Sequence, residues 1–332
     1  MNQPSVQQLF FQHIKNSLSP HLSMVDEIAE ILNISVDSAY RRIRAEKPIT
    51  FEEIQKLSTH YKISLDQFLH LQTDSLIFTG KIVTDPENYF GPYLTNLLQN
   101  FIFLNSFEQR HLYFLTKDIP WIYHFQIDEL SAFKIFLWMK SILHYESMKG
   151  QKFSIKKTRF PEFTDLGRKI SQQYSKIPTT EIWNLESINV TIQQIEYYRE
   201  CDLFESDEDI EVIYDKLEAL LNHIERQAEL GKKFDINTEP LSNAAAFNLF
   251  YNELAIGDNT VLIDLGKMKV TFLNHSVIDF ISTRDDRFSN QIYTSLKNLV
   301  NKSTQISVVS EKNRSNFFSK LRSTIQQHKN RR

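Results

Sequence analysis

Residues 25–44 read VDEIAEILNISVDSAYRRIR, and this stretch decides the fold of the N-terminal part of the chain. Two short amphipathic patterns meet at residues 33–35; acids precede the junction and arginines end the second pattern. Asn33 tolerates the left-handed conformation that a tight turn between helices needs. Ser35 is a favoured N-cap for the helix that follows. The stretch therefore predicts a helix-turn-helix.

The apolar residues of both patterns fall on one side of each predicted helix. Ile28, Ala29 and Leu32 form the buried stripe of the first, with a small side chain at Ala29 where a crossing helix must approach closely. Ala39 and Ile43 turn inward from the second. The polar side chains left mostly outward are Asp37, Ser38, Arg41, Arg42 and Arg44, while Tyr40 is ambiguous. This second helix is the one expected to meet DNA, since phosphates require cations.

Further helical patterns surround these two and complete a five-helix domain over residues 1–72. Thr50 and Glu53 have the spacing of a capping box, in which each side chain reaches the other's amide. Pro48 separates the third and fourth helices because it has no amide hydrogen. The expected helices are 6–17, 25–32, 36–45, 50–61 and 64–71.

This arrangement resembles the Cro/C1 (phage-repressor-like) helix-turn-helix family of bacterial transcription regulators, over about residues 6–72. The resemblance implies base contacts and phosphate contacts with double-stranded DNA. The implied base contacts are Val36, Asp37, Ser38 and Arg41. The implied phosphate contacts are Ser35, Tyr40, Arg42, Arg44 and Lys47. Two positions depart from the family pattern: Asn33 replaces the usual turn glycine, and Arg42 occupies the last core position of the second helix, which is commonly aliphatic. The second departure predicts a slightly rotated helix.

The charge balance leaves one alternative open for the arginines. Residues 1–75 hold seven Lys/Arg and nine Asp/Glu, a balance of −2 that argues against strong non-specific DNA binding but not against one basic helix. The arginines would otherwise be a solvated helix face paired with acids such as Glu27, Glu30 and Glu46.

The bulk properties point to a helix-rich globular protein. The chain has 332 residues, a net charge of −3, 7 Gly and 9 Pro. The single cysteine, Cys201, excludes an intrachain disulfide and a cysteine-based zinc site. The N-terminus carries no signal-peptide pattern, and no stretch reaches the apolar length of a membrane span. These features predict a cytoplasmic protein.

The remainder of the chain is expected to be mainly α with a smaller α+β part. Residues 73–90 have the composition of a linker, 91–234 form a mainly helical region, and 235–332 form a small mixed α/β region that either stands alone or joins 91–234 in one domain. The expected helices are 91–105, 128–147, 164–177, 184–204, 207–231, 275–282, 286–301 and 314–328. The expected strands are a pair within 110–126, then 246–254, 260–266, 269–274 and 305–309.

Other candidate sites are poorly supported. The chain has no motif of nucleophilic, phosphate-binding or metal-dependent catalysis, so no enzyme activity, cofactor or metal is expected. The acidic run 200–211 is interpreted as a helix start capped by Ser206 rather than a cation site. Residues 311–332 carry a balance of +6, which predicts a frayed basic tail or, alternatively, a segment that contacts phosphate or an acidic surface of the same protein.

The hypothesis is a cytoplasmic bacterial transcription regulator. Its N-terminal helix-turn-helix would read the major groove, and its C-terminal region would dimerise or sense a small-molecule or protein effector. The long amphipathic patterns of 184–231 are the expected self-association surface. The alternative hypothesis is a protein-interaction adaptor that uses a helix-turn-helix-like fold without binding DNA.

Overall fold

The computed structural model describes residues 4–18, 23–61, 63, 65, 68, 76–83, 85–254 and 259–331. The chain divides into two compact units, Met1–Ile77 and Phe78–Arg332. Each has its own hydrophobic core.

The first unit is helical. Its helices are α1 (Val6–Ser17), α2 (Met24–Leu32), α3 (Val36–Ile43) and α4 (Phe51–Tyr61). They enclose a small core of Phe10, Phe11, Ile14, Ile28, Ala29, Leu32, Ala39 and Leu57. The first four predicted helices are confirmed. The fifth, predicted for 64–71, lies largely outside the described residues.

The second unit is built on a seven-stranded mixed sheet of order β6-β5-β4-β1-β2-β3-β7. Its strands are β1 (His111–Leu115), β2 (Thr179–Trp183), β3 (Phe247–Tyr251), β4 (Thr260–Asp264), β5 (Lys269–Asn274), β6 (Phe280–Thr283) and β7 (Thr304–Gln305). The central strands β1, β2 and β3 pair in parallel, and the flanking strands pair antiparallel. The strands come from both 91–234 and 235–332, so one sheet runs through both regions.

Helices cover this sheet. They are α5 (Phe90–Asn105), α6 (Asp128–Leu137), α7 (Pro161–Tyr174), α8 (Asn189–Glu200), α9 (Asp207–Leu230), α10 (Asp286–Asn301) and α11 (Glu311–Lys329). A π-turn, Trp138–Ile142, continues α6. The expectation of a mainly α chain with a smaller α/β part is confirmed.

Four of the predicted elements are wrong in detail. Only one strand forms within 110–126: it ends at Leu115, and a 3-10 turn occupies Trp121–Gln126 after Pro120. Strand β2 was not predicted, and the next helix was predicted to start at residue 184, five residues before α8 begins. Residues 275–282, predicted as a helix, contain β6, which pairs with β5 at the sheet edge. The strand predicted for 305–309 shrinks to β7.

The long helix α9 is an internal element of the second unit. Ser206 caps it as predicted, with its hydroxyl accepting the Asp209 amide at 3.3 Å. Core side chains such as Leu217, Leu221 and Ile224 are fully buried in the unit, so this helix has a narrower free surface than its amphipathic pattern suggested.

The basic C-terminal segment packs on α9 rather than fraying. Arg322 pairs with Glu225 at 2.6 Å, and Lys329 pairs with Asp215. Arg314 is buried and donates to the carbonyls of Ile306 and Val309. The prediction of a loose tail is therefore wrong, and the alternative of an acidic surface within the same protein is confirmed.

Candidate nucleic-acid interface

The turn between α2 and α3 has the predicted conformation. Asn33 lies in the left-handed region at φ 54° and ψ 53°. Its amide donates to the Glu30 carbonyl at 3.1 Å, and the Ile34 amide donates to the Ala29 carbonyl at 3.0 Å. These bonds close the C-terminus of α2, and the chain then reverses into α3.

Ser35 starts α3 as an N-cap. Its hydroxyl oxygen accepts the Ser38 amide at 3.3 Å and lies 3.0 Å from the Ser38 hydroxyl. Ala39 is fully buried on the inner side of the helix. The helix is thus fixed at its start by a cap and along its length by the core.

The structure presents most of the implied contact residues on the outer side of α3. Val36 is 48% exposed and Tyr40 46% exposed. Asp37 and Arg41 are exposed, and Ser38 is half-buried. The residues implied as base contacts therefore share one accessible helix face.

Of the residues implied as phosphate contacts, Ser35, Arg44 and Lys47 are exposed. The Arg44 guanidinium lies 5.4 Å from the centre of the Tyr40 ring, so the two side chains form one stacked pair. Arg44 is 3.9 Å from the Glu46 carboxylate, but both side chains are more than half exposed and the contact is weak. Arg41 has no ion-pair partner among the described residues.

Arg42 is placed differently from its neighbours. It is only 5% exposed. Its Nε and Nη2 donate to the two carboxylate oxygens of Glu53 at 2.8 and 2.5 Å, and its Nη1 donates to the Ser38 carbonyl at 3.1 Å. Because the guanidinium is bound inside the unit, its placement is at odds with the predicted phosphate contact.

Glu53 is part of the capping box and is also the hydrogen-bond partner of Arg42. Its carboxylate accepts the Thr50 amide at 3.1 Å, and the Thr50 hydroxyl accepts the Glu53 amide at 3.3 Å, as predicted. The hydrogen bond from Arg42 is the main cause that lowers the pKa of Glu53. The start of α4 and the inner side of α3 are thereby joined through one carboxylate.

This pairing also answers the question of helix rotation. Ala39 and Arg42 both face inward, so the helix is oriented as an aliphatic residue at position 42 would orient it. Arg42 occupies the core position, and the carboxylate of Glu53 supplies its counter-charge. The predicted rotation is not needed to explain the sequence.

Gln7 is a contributor that the sequence did not reveal. Its amide nitrogen donates to the carbonyls of Arg42 and Lys47 at 2.7 and 2.8 Å, and its amide oxygen accepts the Ile49 amide at 3.1 Å. Three bonds from one α1 side chain fix the loop after α3, which carries Arg44. The sequence gives no signal for these bonds, because they join Gln7 to residues 35 to 42 positions away.

The second unit has a groove lined by side chains of both charges, among them Asp128, Arg168 and Lys216. Inside the unit, the buried Glu181 accepts hydrogen bonds from Tyr123, Tyr174 and Trp183 at 2.8, 2.6 and 3.0 Å. The Lys233 ammonium donates to the Tyr174 carbonyl at 3.1 Å, and burial lowers the pKa of Lys233 to about 7. We interpret this network as structural, because Glu181 and Tyr174 are buried and their polar atoms point at one another.

No group of acidic, histidine or cysteine side chains among the described residues could hold a metal ion. The helices that the structure describes include none with the length and apolar character of a membrane span.

The geometry of α2, α3 and their turn defines a helix-turn-helix. The comparison with protein families agrees: the model of the BetR domain, a helix-turn-helix-type DNA-binding domain family, matches residues 12–84. The match supports a DNA-binding regulator domain in the N-terminal part of the chain. No curated protein and no solved structure matches the chain significantly.

Proposed function

We propose that the protein is a sequence-specific transcription regulator whose helix α3 enters the major groove of double-stranded DNA. The main support for this proposal is the accessible face of α3, where side chains suited to contact bases lie beside side chains suited to contact phosphates. Val36, Asp37, Ser38 and Arg41 read base edges, with Arg41 suited to bidentate contact with guanine. Ser35, Tyr40, Arg44 and Lys47 contact the flanking phosphates.

Arg42 takes a different part in this proposal. It is a positioning residue, because its bonds to Glu53 and the Ser38 carbonyl hold α3 against α4. The likeness to the Cro/C1 family supports the same docking of α3, with this one substitution in how the helix is held.

The remaining parts of the proposal concern the whole chain. A single headpiece offers a small interface, so useful specificity requires two half-sites and a homodimer. The second unit supplies dimerisation, effector binding or both. We assign it no catalytic role and no cofactor, and we place the protein in the cytoplasm, where its DNA is.

Selection of genomic fragments by the full-length protein at physiological salt tests the proposal. Recovery of a two-fold symmetric site is the expected result. With that site, Arg41→Ala should weaken binding and relax specificity at one base pair, at a cost of about 1–3 kcal/mol. Arg44→Ala should weaken binding to all sequences alike and lower the salt dependence.

Lys15→Ala is the matched control, because it removes one cation from the same unit. Lys15 lies eight residues along α1 from Gln7, about 12 Å at the rise of an α-helix. If Arg41→Ala and Arg44→Ala retard DNA no less than this control does, the assignment of α3 is wrong.

A protein-interaction adaptor is the second candidate function. Phe51, at the start of α4, is 87% exposed, and residues 1–75 carry a charge of −2. Both favour a protein partner over a phosphate backbone. The two functions separate on salt: DNA affinity should fall steeply between about 50 and 200 mM salt, whereas an adaptor would show no DNA affinity that depends on salt.

A further inference from the structure

A cavity of about 340 Å³ lies in the second unit between helix α5 and the face of the sheet. Leu97 and Phe101 line it from the helix, and Phe114, Val261 and Phe272 line it from strands β1, β4 and β5. The space is partly open to solvent, so it is an apolar groove in the second unit rather than a sealed void in its core. An apolar cavity of about 150 Å³ is enough to hold benzene. This one accommodates a molecule of about twice that size.

The polar groups within the cavity are already engaged with one another. The Tyr93 hydroxyl donates to the Ile278 carbonyl at 2.6 Å, and the Tyr89 hydroxyl donates to Asp279. The Asp279 carboxylate also lies 3.4 Å from the Ser276 hydroxyl. The hydroxyls of Tyr89 and Tyr93 are therefore occupied, and a ligand meets a lining that is mostly apolar.

The rim differs from the interior. Lys81, Asn96 and Asn100 line it, and all three are exposed. Lys81 has no ion-pair partner among the described residues. Asn96 donates its amide nitrogen to the Pro92 carbonyl at 2.7 Å. The rim thus supplies one cation and two amides beside an apolar slot.

We propose that this cavity binds a small amphipathic carboxylate of medium chain length. Its apolar chain lies between α5 and the sheet, and its carboxylate pairs with Lys81 at the rim. Ligand sites are generally concave, mostly apolar and equipped with a few placed polar groups, and this cavity has each of those properties.

The rim lies close in sequence to the N-terminal unit, which connects a ligand at the rim with the control of DNA binding. Thr79, Gly80 and Lys81 line the cavity and follow closely after Ile77, where the N-terminal unit ends. Two backbone bonds, 2.7 and 2.8 Å long, hold Thr79 to Ser282 of β6. A ligand at Lys81 therefore contacts the first segment of the second unit. The control of DNA binding by this contact rests on the proposed function, whereas the binding site does not.

Calorimetric titration of the full-length protein tests the site with decanoate, decanol and decylamine, which share a chain and differ in head group. Saturable one-to-one binding of decanoate is expected, with decanol weaker by about fivefold or more and decylamine weakest. Lys81→Met should bring decanoate down to the affinity of decanol. If no probe binds, the site is refuted, and if decylamine binds more tightly than decanoate, the carboxylate assignment is refuted.

Two variants that fill the cavity from opposite walls check its position. Leu97→Trp and Val261→Phe should each reduce decanoate affinity by about tenfold or more while the melting temperature stays level or rises. Phe103→Trp is the matched control, because Phe103 lies on the same helix and is 54% exposed. Unchanged binding in both filled variants, or loss of folding in both, would overturn the proposal, because either result means that the space is not there.

The regulatory step has its own readout. The affinity for the selected DNA site should change by about threefold or more when decanoate saturates the protein, and the change should be absent in Lys81→Met. An unchanged DNA affinity overturns the regulatory step alone. A failure to bind any DNA overturns the proposed function, and the calorimetric result then still decides the site.

Discussion

The burial of the Arg42–Glu53 pair predicts how much stability is lost when one partner is removed. The Arg42 and Glu53 side chains are 6% and 15% exposed. Removing one partner of a buried pair costs about 3–5 kcal/mol, because the other charge stays desolvated. Since Glu53 keeps some solvent, we expect about 2–3 kcal/mol for Arg42→Met, which keeps the length of the side chain.

Glu53→Gln separates the charge from the cap. Glutamine at this position still satisfies the capping box with Thr50, while the variant removes the counter-charge of Arg42 and one of its two acceptor oxygens. The double variant should be more stable than the sum of the two single costs implies, by about 1–2 kcal/mol, because neither charge is then left alone.

Hydrogen exchange of the α3 and α4 amides measures this locally in the full-length protein. The three tryptophans, Trp121, Trp138 and Trp183, all lie in the second unit, so their fluorescence would miss the change. A loss of 2 kcal/mol accelerates exchange through local opening by about 30-fold. Glu52→Gln is the matched control: it removes the same charge from the same helical turn, but Glu52 does not bond Arg42.

The same pair predicts an acid response. Arg42 lowers the pKa of Glu53 in the folded unit, so the stabilisation is complete above the ordinary glutamate value of about 4.3 and is lost as the pH falls through the lowered value. Three results would contradict the role of the buried pair in positioning α3. They are single costs that simply add in the double variant, amide exchange in Arg42→Met equal to that of the wild type, and an acid response of Glu53→Gln identical to that of the wild type.

Three further predictions concern the turn, the loop after α3 and the core of the second unit. Asn33→Gly should be neutral and Asn33→Ala should cost about 1–2 kcal/mol, because only the alanine is strained in the left-handed conformation; exchange of the α2 amides distinguishes them. Gln7→Ala removes three hydrogen bonds to the loop after α3, so exchange at residues 44–50 should rise and DNA affinity should fall several-fold, whereas the Lys15→Ala control should change neither. Burial lowers the pKa of Lys233 to about 7, so the unfolded chain binds more protons above that pH and the free energy of unfolding should rise from pH 7 to 9.5, by up to about 1.4 kcal/mol per pH unit. Urea unfolding followed by tryptophan fluorescence measures that slope, which should flatten in Lys233→Met; an equally steep slope in the variant would refute the assignment to Lys233.

The parts of the N-terminal unit that the sequence predicted are those fixed by neighbours in the chain. The cap at Ser35, the left-handed Asn33 and the box of Thr50 with Glu53 each depend on residues within three or four positions, and each is present in the structure. Their physical cause is local backbone hydrogen bonding, which a single sequence displays directly.

The contacts that the sequence concealed are those between distant segments. Arg42 and Glu53 are eleven residues apart, and Gln7 is 35 residues from the Arg42 carbonyl that it binds. A pattern of polar residues cannot say which of them meet after folding. The implied phosphate contact of Arg42 rested on its charge and helix position alone, and burial was the missing information.

The sheet was under-predicted for a related reason. Strand β2 is buried throughout, so it lacks the alternation of a half-exposed strand, and Glu181 at its centre has the character of a surface residue. That glutamate is accommodated because three side chains donate hydrogen bonds to it: Tyr123 from the 3-10 turn, Tyr174 from α7 and Trp183 from β2 itself. Strand β6 was hidden similarly, since its pairing with β5 decides its conformation more than its own composition does.

The three arginines of α3 and its C-cap show what this distinction means for function. Arg41 and Arg44 add charge to the exposed face, whereas Arg42 has its charge neutralised by Glu53 before any DNA is present. Counting Arg41, Arg44 and Lys47 against Asp37 and Glu46 leaves a local surplus of 3 − 2 = +1 on the accessible part of residues 36–47. So small a surplus supports little binding that is independent of sequence. Under the proposed function, affinity must therefore depend on base contacts and on two headpieces acting together, which is why a symmetric site is the expected outcome of the selection.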